Sequence, residues 1–263
     1  MELAGKVAVI TGGSGGIGRA MAEAFLAAGA RGIMLADIDA DLVASTAAEL
    51  GCDGMACDVT DEPQIQSLVA AAEGKFGQID LFCSNAGKGQ QGTLTDILDE
   101  EWQEQWDVHV MAHVYAARAV LPGMIERGEG YLLNTASAAG LLAAMSAGAY
   151  SVTKAACVKL AEFLAITHGD DGIRVSVLCP QGVNTAMGPK SLGDGQTDGI
   201  LEPEELAAVV VDSIREERFH VLPHPEVEEY VRRKGNDIDR WLNGMRRLRR
   251  ISSETKVTED TED

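Results

Sequence analysis

Short apolar runs rich in β-branched residues alternate along the chain with longer alanine-rich stretches whose apolar positions recur every three or four residues. The first run, Lys6 to Thr11, leads through a glycine-rich turn at Thr11–Gly18 into a helical pattern that continues to Ala28. Gly32 to Ala36, Gly54 to Cys57, Ile79 to Ser84 and Gly130 to Ala136 read as further strands. Glu101 to Arg127 and Tyr150 to His168 read as long helices, and a C-terminal helix begins near Glu226. Strand alternating with helix predicts an α/β fold, a doubly wound parallel sheet with helices on both faces. No linker or internal repeat divides the 263 residues, so a single three-layer domain is expected over 1–250. Residues 251–263 are charged and poor in apolar side chains, and read as a disordered acidic tail.

Small or polar residues sit just past the end of each strand, which is the edge where open α/β sheets bind ligands. The Thr11–Gly18 turn supplies tight bending, close approach of backbone to a pyrophosphate, and unpaired N–H groups at a helix N-terminus. Asp37, nineteen residues beyond Gly18, ends the second strand where a carboxylate would bind adenosine ribose hydroxyls. A 2′-phosphate about 4 Å from it would cost ~4 kcal/mol per unit of charge, on the order of a thousandfold. Ile38 offers no compensating cation, so NAD(H) is expected over NADP(H). Asp37 is also a candidate N-cap for the helix that follows.

Tyr150 and Lys154 stand four residues apart, one helical turn, which sets a phenol and an ammonium on the same face. A cation about 5 Å away at an effective dielectric of ~20 favours the phenolate by roughly 3 kcal/mol, most of what acid–base work near neutrality requires.

Composition narrows the rest. A net charge of -19 disfavours nucleic acid and anionic membranes as partners, and no apolar run approaches the ~20 residues of a membrane span. The start of the chain lacks a secretory pattern, and a cytoplasmic location is expected. Cys52, Cys57, Cys83, Cys157 and Cys179 form no C-x-x-C pair and read as reduced structural thiols. His109 and His113 lack the glutamate and third ligand of a zinc motif, so no metal is expected. Arg246 to Arg250 form a basic patch that reads as a solvated or subunit-facing helix, with binding to acidic surfaces as the other possibility.

Taken together, these motifs resemble the classical short-chain dehydrogenase/reductases: the glycine turn at Thr11–Gly18, Asp37, Asp58-Val59-Thr60, Asn85-Ala86-Gly87, Ser137, Tyr150, Lys154, and the proline turn Pro180 to Thr185. The resemblance implies a Rossmann-type fold and an NAD-dependent alcohol dehydrogenase or carbonyl reductase. It implies that Ser137 binds the substrate oxygen, Tyr150 transfers the proton, and Lys154 lowers the tyrosine pKa and binds the nicotinamide ribose. Gly12, Ser14, Gly16, Ile17 and Gly18 would cradle the dinucleotide, with Asp58 and Val59 at the adenine and Asn85, Ala86 and Gly87 at the central ribose. Pro180, Val183 and Thr185 would meet the nicotinamide end. The family commonly forms tetramers through its two long helices.

Two positions depart from the family pattern. His109 stands where an asparagine usually supports a water-mediated proton path to the lysine; it reads as a replacement relay titrating near pH 6.5, as a loss of that path, or as a core histidine. Gln181 stands where glycine is common, beside the expected nicotinamide. Leu141, Leu142 and Met145 lie between Ser137 and Tyr150, and Met187 and Leu192 follow the proline turn in a lid segment whose only cation is Lys190. This apolar set, with no obvious carboxylate clamp, predicts a small-molecule substrate that is a hydrophobic secondary alcohol or ketone. The rival reading is a catalytically silent NAD-binding regulatory protein.

Overall fold

The computed structural model describes residues 1–187 and 198–259. Nine strands run β1 (Val7–Thr11), β2 (Gly32–Asp37), β3 (Asp53–Ala56), β4 (Leu81–Ser84), β5 (Gly130–Thr135), β6 (Ile173–Leu178), β7 (Gly182–Val183), β8 (Ile200–Leu201) and β9 (His220–Val221). Seven of them form one parallel sheet in the order β3-β2-β1-β4-β5-β6-β9, and β7 pairs with β8. The chain winds outward from β1 to β3, then returns to place β4 on the other side of β1. The reversal opens a crevice at the carboxyl ends of β1 and β4, where Ile10 is in register with both Leu35 and Cys83.

Alternate strand residues feed two apolar layers, as the pleat requires. Val9 and Phe82 pack with Ile65, Leu68 and Val120 on one face. Ala8, Ile10 and Leu35 pack with Met21, Phe25 and Val210 on the other. The first layer is covered by α3 (Glu62–Phe76), α5 (Ala112–Arg127) and α7 (Gly148–His168); the second is covered by α1 (Gly16–Ala27), α2 (Ala40–Leu50) and α8 (Pro203–Arg215). This is the doubly wound, Rossmann-type three-layer sandwich predicted from the strand–helix alternation.

The helical stretch Asp99–Arg127 is long and apolar enough by composition to cross a membrane, yet α5 lies against α3, β4 and β5 as a core element. It is also not one continuous α-helix. α4 (Asp99–Trp106) passes through a π-helical turn, Asp107–Met111, into α5. After the short α6 (Ala138–Leu142), the C-terminal region forms two helices where one was expected. α9 (Glu226–Asn236) ends at Asp237, whose extended backbone breaks the run, and α10 begins at Ile238 with the Arg240 N–H donating to Asp237 Oδ1 at 2.9 Å. α10 continues to Glu259, past the residue 250 boundary drawn from composition, along a proline-free stretch whose Glu and Lys are good helix formers. Lys190 and Leu192 lie outside the described residues.

Candidate active site

The crevice is a cleft of about 720 Å³ whose floor is the Thr11–Gly18 turn. Gly12 holds φ +60°, and a Cβ there would lie 2.9 Å from the Ala86 Cα, so the turn and the β4 end are in backbone contact. Gly18 lies outside the cleft lining. A Cβ at that position would fall 2.0 Å from the Gly12 carbonyl oxygen, so Gly18 serves helix-on-turn packing. Gly15 instead faces open space at the cleft. Asn85 lines the cleft but its amide is committed to structure: it donates to the Thr11 carbonyl at 3.0 Å and accepts from Thr135 Oγ1 at 3.1 Å.

Asp37 reaches the cleft from the end of β2. It accepts hydrogen bonds from the Ser14 hydroxyl and the Ser14 N–H, the latter at 3.3 Å, which ties the acidic residue to the glycine turn. The N-cap role belongs to Asp39, which accepts from the N–H groups of Asp41 and Leu42. The other Asp37 oxygen accepts from the Asp39 N–H at 3.4 Å.

Ser137 caps α6, accepting from the Ala139 N–H at 3.1 Å, and Tyr150 and Lys154 project from the first turns of α7. All three are buried and line the same cleft. The Lys154 ammonium donates to the Thr135 carbonyl at 2.9 Å and lies 5.7 Å from the Tyr150 ring centroid. Its solvation is poor, and burial pulls its pKa below the usual lysine value. The Tyr150 phenol is pushed above its ordinary value, chiefly by burial, while a hydrogen bond with Ser137 opposes the rise. That direction is the reverse of the expected depression by Lys154, because helix spacing reports the cation but not the loss of water around the phenol.

His109 sits in the π-helical turn, fully buried, and meets Tyr150 edge to face. The Lys88 N–H, which can only donate, approaches Nε2 at 3.3 Å, so Nε2 accepts and Nδ1 carries the hydrogen. Nδ1 donates to Thr153 Oγ1 at 3.0 Å, whose own proton goes to the Ala149 or Tyr150 carbonyl. Burial, followed by the Lys154 charge, holds His109 far below the ordinary imidazole range. It therefore does not titrate near pH 6.5, correcting the expectation from sequence. His113 turns away to Asn134 Oδ1 at 3.0 Å and Cys157, so the two imidazoles do not converge. No group of three or more metal-ligating side chains occurs among the described residues.

The remaining predicted cleft residues, Ser14, Gly16, Ile17, Asp58, Val59, Ala86, Gly87, Pro180, Val183 and Thr185, all line it. Thr185 closes over Gly16, whose added Cβ would meet its methyl at 3.0 Å.

The sequence of residues 6–194 matches the family model described as short chain dehydrogenase. The chain belongs to the short-chain dehydrogenase family. One relative in this oxidoreductase family, 1-deoxy-11-beta-hydroxypentalenate dehydrogenase of Streptomyces exfoliatus, is 33% identical over 256 residues, 92% of each chain. D-threitol dehydrogenase of Mycolicibacterium smegmatis is 32% identical, covering 80% of this chain and 86% of its own. A crystal structure of a short-chain dehydrogenase/reductase from Burkholderia phymatum in complex with NAD superposes with a TM-score of 0.83 at 32% identity, covering 91% of this chain and 96% of that one.

Within this short-chain dehydrogenase, the predicted substrate residues divide. Gln181 and Met187 border the cleft, and Leu142 and Gln181 border a second cavity beyond Ser137. Leu141 packs against the core while its carbonyl accepts from the Lys234 ammonium, and neither Leu141 nor Met145 lines either of these two cavities. Leu141 and Leu142 end α6, and the backbone turns at Ala143, with φ 87°, before Met145. Sequence reading missed Thr135, Thr153, Asp198 and Tyr230, because none belongs to a local motif. The Gln181 amide is fixed by donating to Asp198 Oδ2 at 2.8 Å, and Tyr230 donates to Asp198 Oδ1 at 2.9 Å.

Proposed function

We propose that this short-chain dehydrogenase is an NAD(H)-dependent alcohol dehydrogenase or carbonyl reductase for a hydrophobic secondary alcohol or ketone, with Tyr150 as the acid–base. The observation that carries the reading is convergence: Ser137, Tyr150 and Lys154 share the cleft with the glycine turn and Asp37. NAD(H) fits these residues. Gly15 leaves open space beside the turn for a pyrophosphate, and Asp37 disfavours a 2′-phosphate. When bound, NAD(H) supplies or accepts the hydride. Asp37 would hold the adenosine ribose, Asp58 and Val59 the adenine side, and Lys154 the nicotinamide ribose.

Ser137 orients the substrate oxygen with its hydroxyl. Tyr150 donates its proton to that oxygen in reduction and takes one from the alcohol in oxidation, so charge does not build up on an oxygen cut off from water. Lys154, anchored at the Thr135 carbonyl, keeps a cation beside the phenol. His109 is a positioning residue, since its neutral ring ties the Lys88 backbone to Thr153 and abuts Tyr150.

The named relatives act on unlike molecules, a hydroxypentalenate and a threitol, so the substrate is argued from the pocket. The mutual engagement of Ser137, Tyr150 and Lys154 supports an enzyme over a silent NAD-binding regulator. Exposed Val152, Phe163 and Ile166 on α7 support assembly as a homotetramer, and five unpaired cysteines suit the reducing cytoplasm. The test is Tyr150→Phe: ketone-dependent NADH oxidation should fall at least about a hundredfold while NADH still binds. Full turnover in that variant would end the proposal.

A further inference from the structure

Beyond Ser137 the cleft meets a second cavity of about 770 Å³, and the two share Ser137, Pro180 and Gln181. A substrate whose oxygen sits on Ser137 has the rest of its body in this outer space. One wall is α10, where Trp241, Gly244, Met245 and Leu248 recur on a single helical face. Across from it stand Leu142 and Ala143, the latter held at a φ of 87° that side chains with a Cβ disfavour.

Gly244 lies in this wall. A glycine weakens a helix interior relative to alanine, and an added Cβ at 244 would meet no atom within 4 Å. Packing within the chain therefore does not call for it, and at this position it leaves open space in the cavity wall.

The charges lining the cavity are mostly spent. Asp198 accepts from Gln181 and Tyr230, Asp237 caps α10, and Arg233 pairs with Glu229 at 2.7 Å. Among the described residues the Arg240 guanidinium is the one charged group of this lining without a hydrogen-bond or ion-pair partner, while Asp198 and Asp237 are satisfied by neutral donors. The sequence reading, which saw only Lys190 near the substrate, had no cause to look to α10.

We infer that the outer cavity is the substrate site for an extended amphipathic ketone or alcohol. Its apolar body lies along the Trp241–Leu248 face of α10, and a carboxylate at its far end is held by Arg240. This rests on the proposed roles of Ser137 and Tyr150, and the experiment separates the two.

The full chain with NADH is assayed on methyl-ketone carboxylates from 5-oxohexanoate to 13-oxotetradecanoate and on their methyl esters. In parallel, the unfolding temperature of the NADH-bound protein is followed as tetradecanoate is added. kcat/KM should rise at least tenfold along the series, and the longest acids should exceed their esters at least fivefold. Gly244→Leu should cut the long-to-short ratio at least tenfold without lowering the unfolding temperature, and Arg240→Gln should erase the advantage of acid over ester. A flat series, or variants that change short and long, acid and ester alike, would overturn the inference. If no ketone is reduced but tetradecanoate still raises the unfolding temperature and Gly244→Leu abolishes that rise, the binding site stands and the reaction-centre reading falls. Absence of both turnover and a thermal shift overturns the site as well.

Discussion

His109 and Tyr150 meet at right angles, ring centroids 5.4 Å apart and planes inclined by 86°. The contact joins the π-helical turn to the phenol, and π-turns of this kind recur at functional sites because they re-aim side chains within a helix. His109→Ala should therefore lower kcat by roughly tenfold or more while the Kd for NADH changes little, and His109→Asn should recover part of the loss. Because the ring is held neutral, the wild-type rate profile should show no imidazole step between pH 5.5 and 7.5. A step there that vanishes in the alanine variant would restore the titrating-relay reading.

Buried histidines make the fold acid-sensitive, His109 and His113 foremost. His109 is depressed far below its ordinary pKa and His113 to about 3, each mainly by burial. Depressed groups stabilise the fold fully above the unfolded value near 6.5, and that contribution drains away as pH falls below it, since the unfolded chain binds the proton first. At pH 5 the loss is on the order of 2 kcal/mol per histidine. Urea melts at pH 7.5 and pH 5 should show this, and His109→Asn should shrink the difference by about 2 kcal/mol.

Asp37 is the proposed determinant of cofactor choice. Asp37→Ala should shift the ratio of kcat/KM for NADH over NADPH by about two to three orders of magnitude toward NADPH. An unchanged ratio would mean that the Ser14 contact, rather than ribose selection, explains the residue.

Two glycines of one turn should respond differently to the same methyl group. Gly18→Ala forces a carbon onto the Gly12 carbonyl and should destabilise the fold by ~2 kcal/mol or more. Gly15→Ala meets nothing in the protein, so the melting temperature should hold while NADH binding weakens by roughly 1 kcal/mol. Thermal melts and NADH titrations of both variants decide the matter.

Local signals carried much of the architecture. β1, β2, the glycine turn and the Tyr150–Lys154 pair were legible because each is written in a few consecutive residues at a characteristic spacing. β6 and the short β9 were passed over, and β9 is a strand of two residues that exists only through its pairing with β6. Burial was equally invisible. It decides the direction of the Tyr150 and His109 shifts, and around His109 it comes from distant positions such as Thr153, 44 residues away. The walls of the outer cavity come from α6, the proline turn and α10, which no spacing rule links.

The three residues common to the two cavities form a party wall with a doorway on each side. Under the proposed function, a molecule seated on Ser137 and a dinucleotide lying over Asp37 would occupy separate compartments that meet only at Ser137, Pro180 and Gln181.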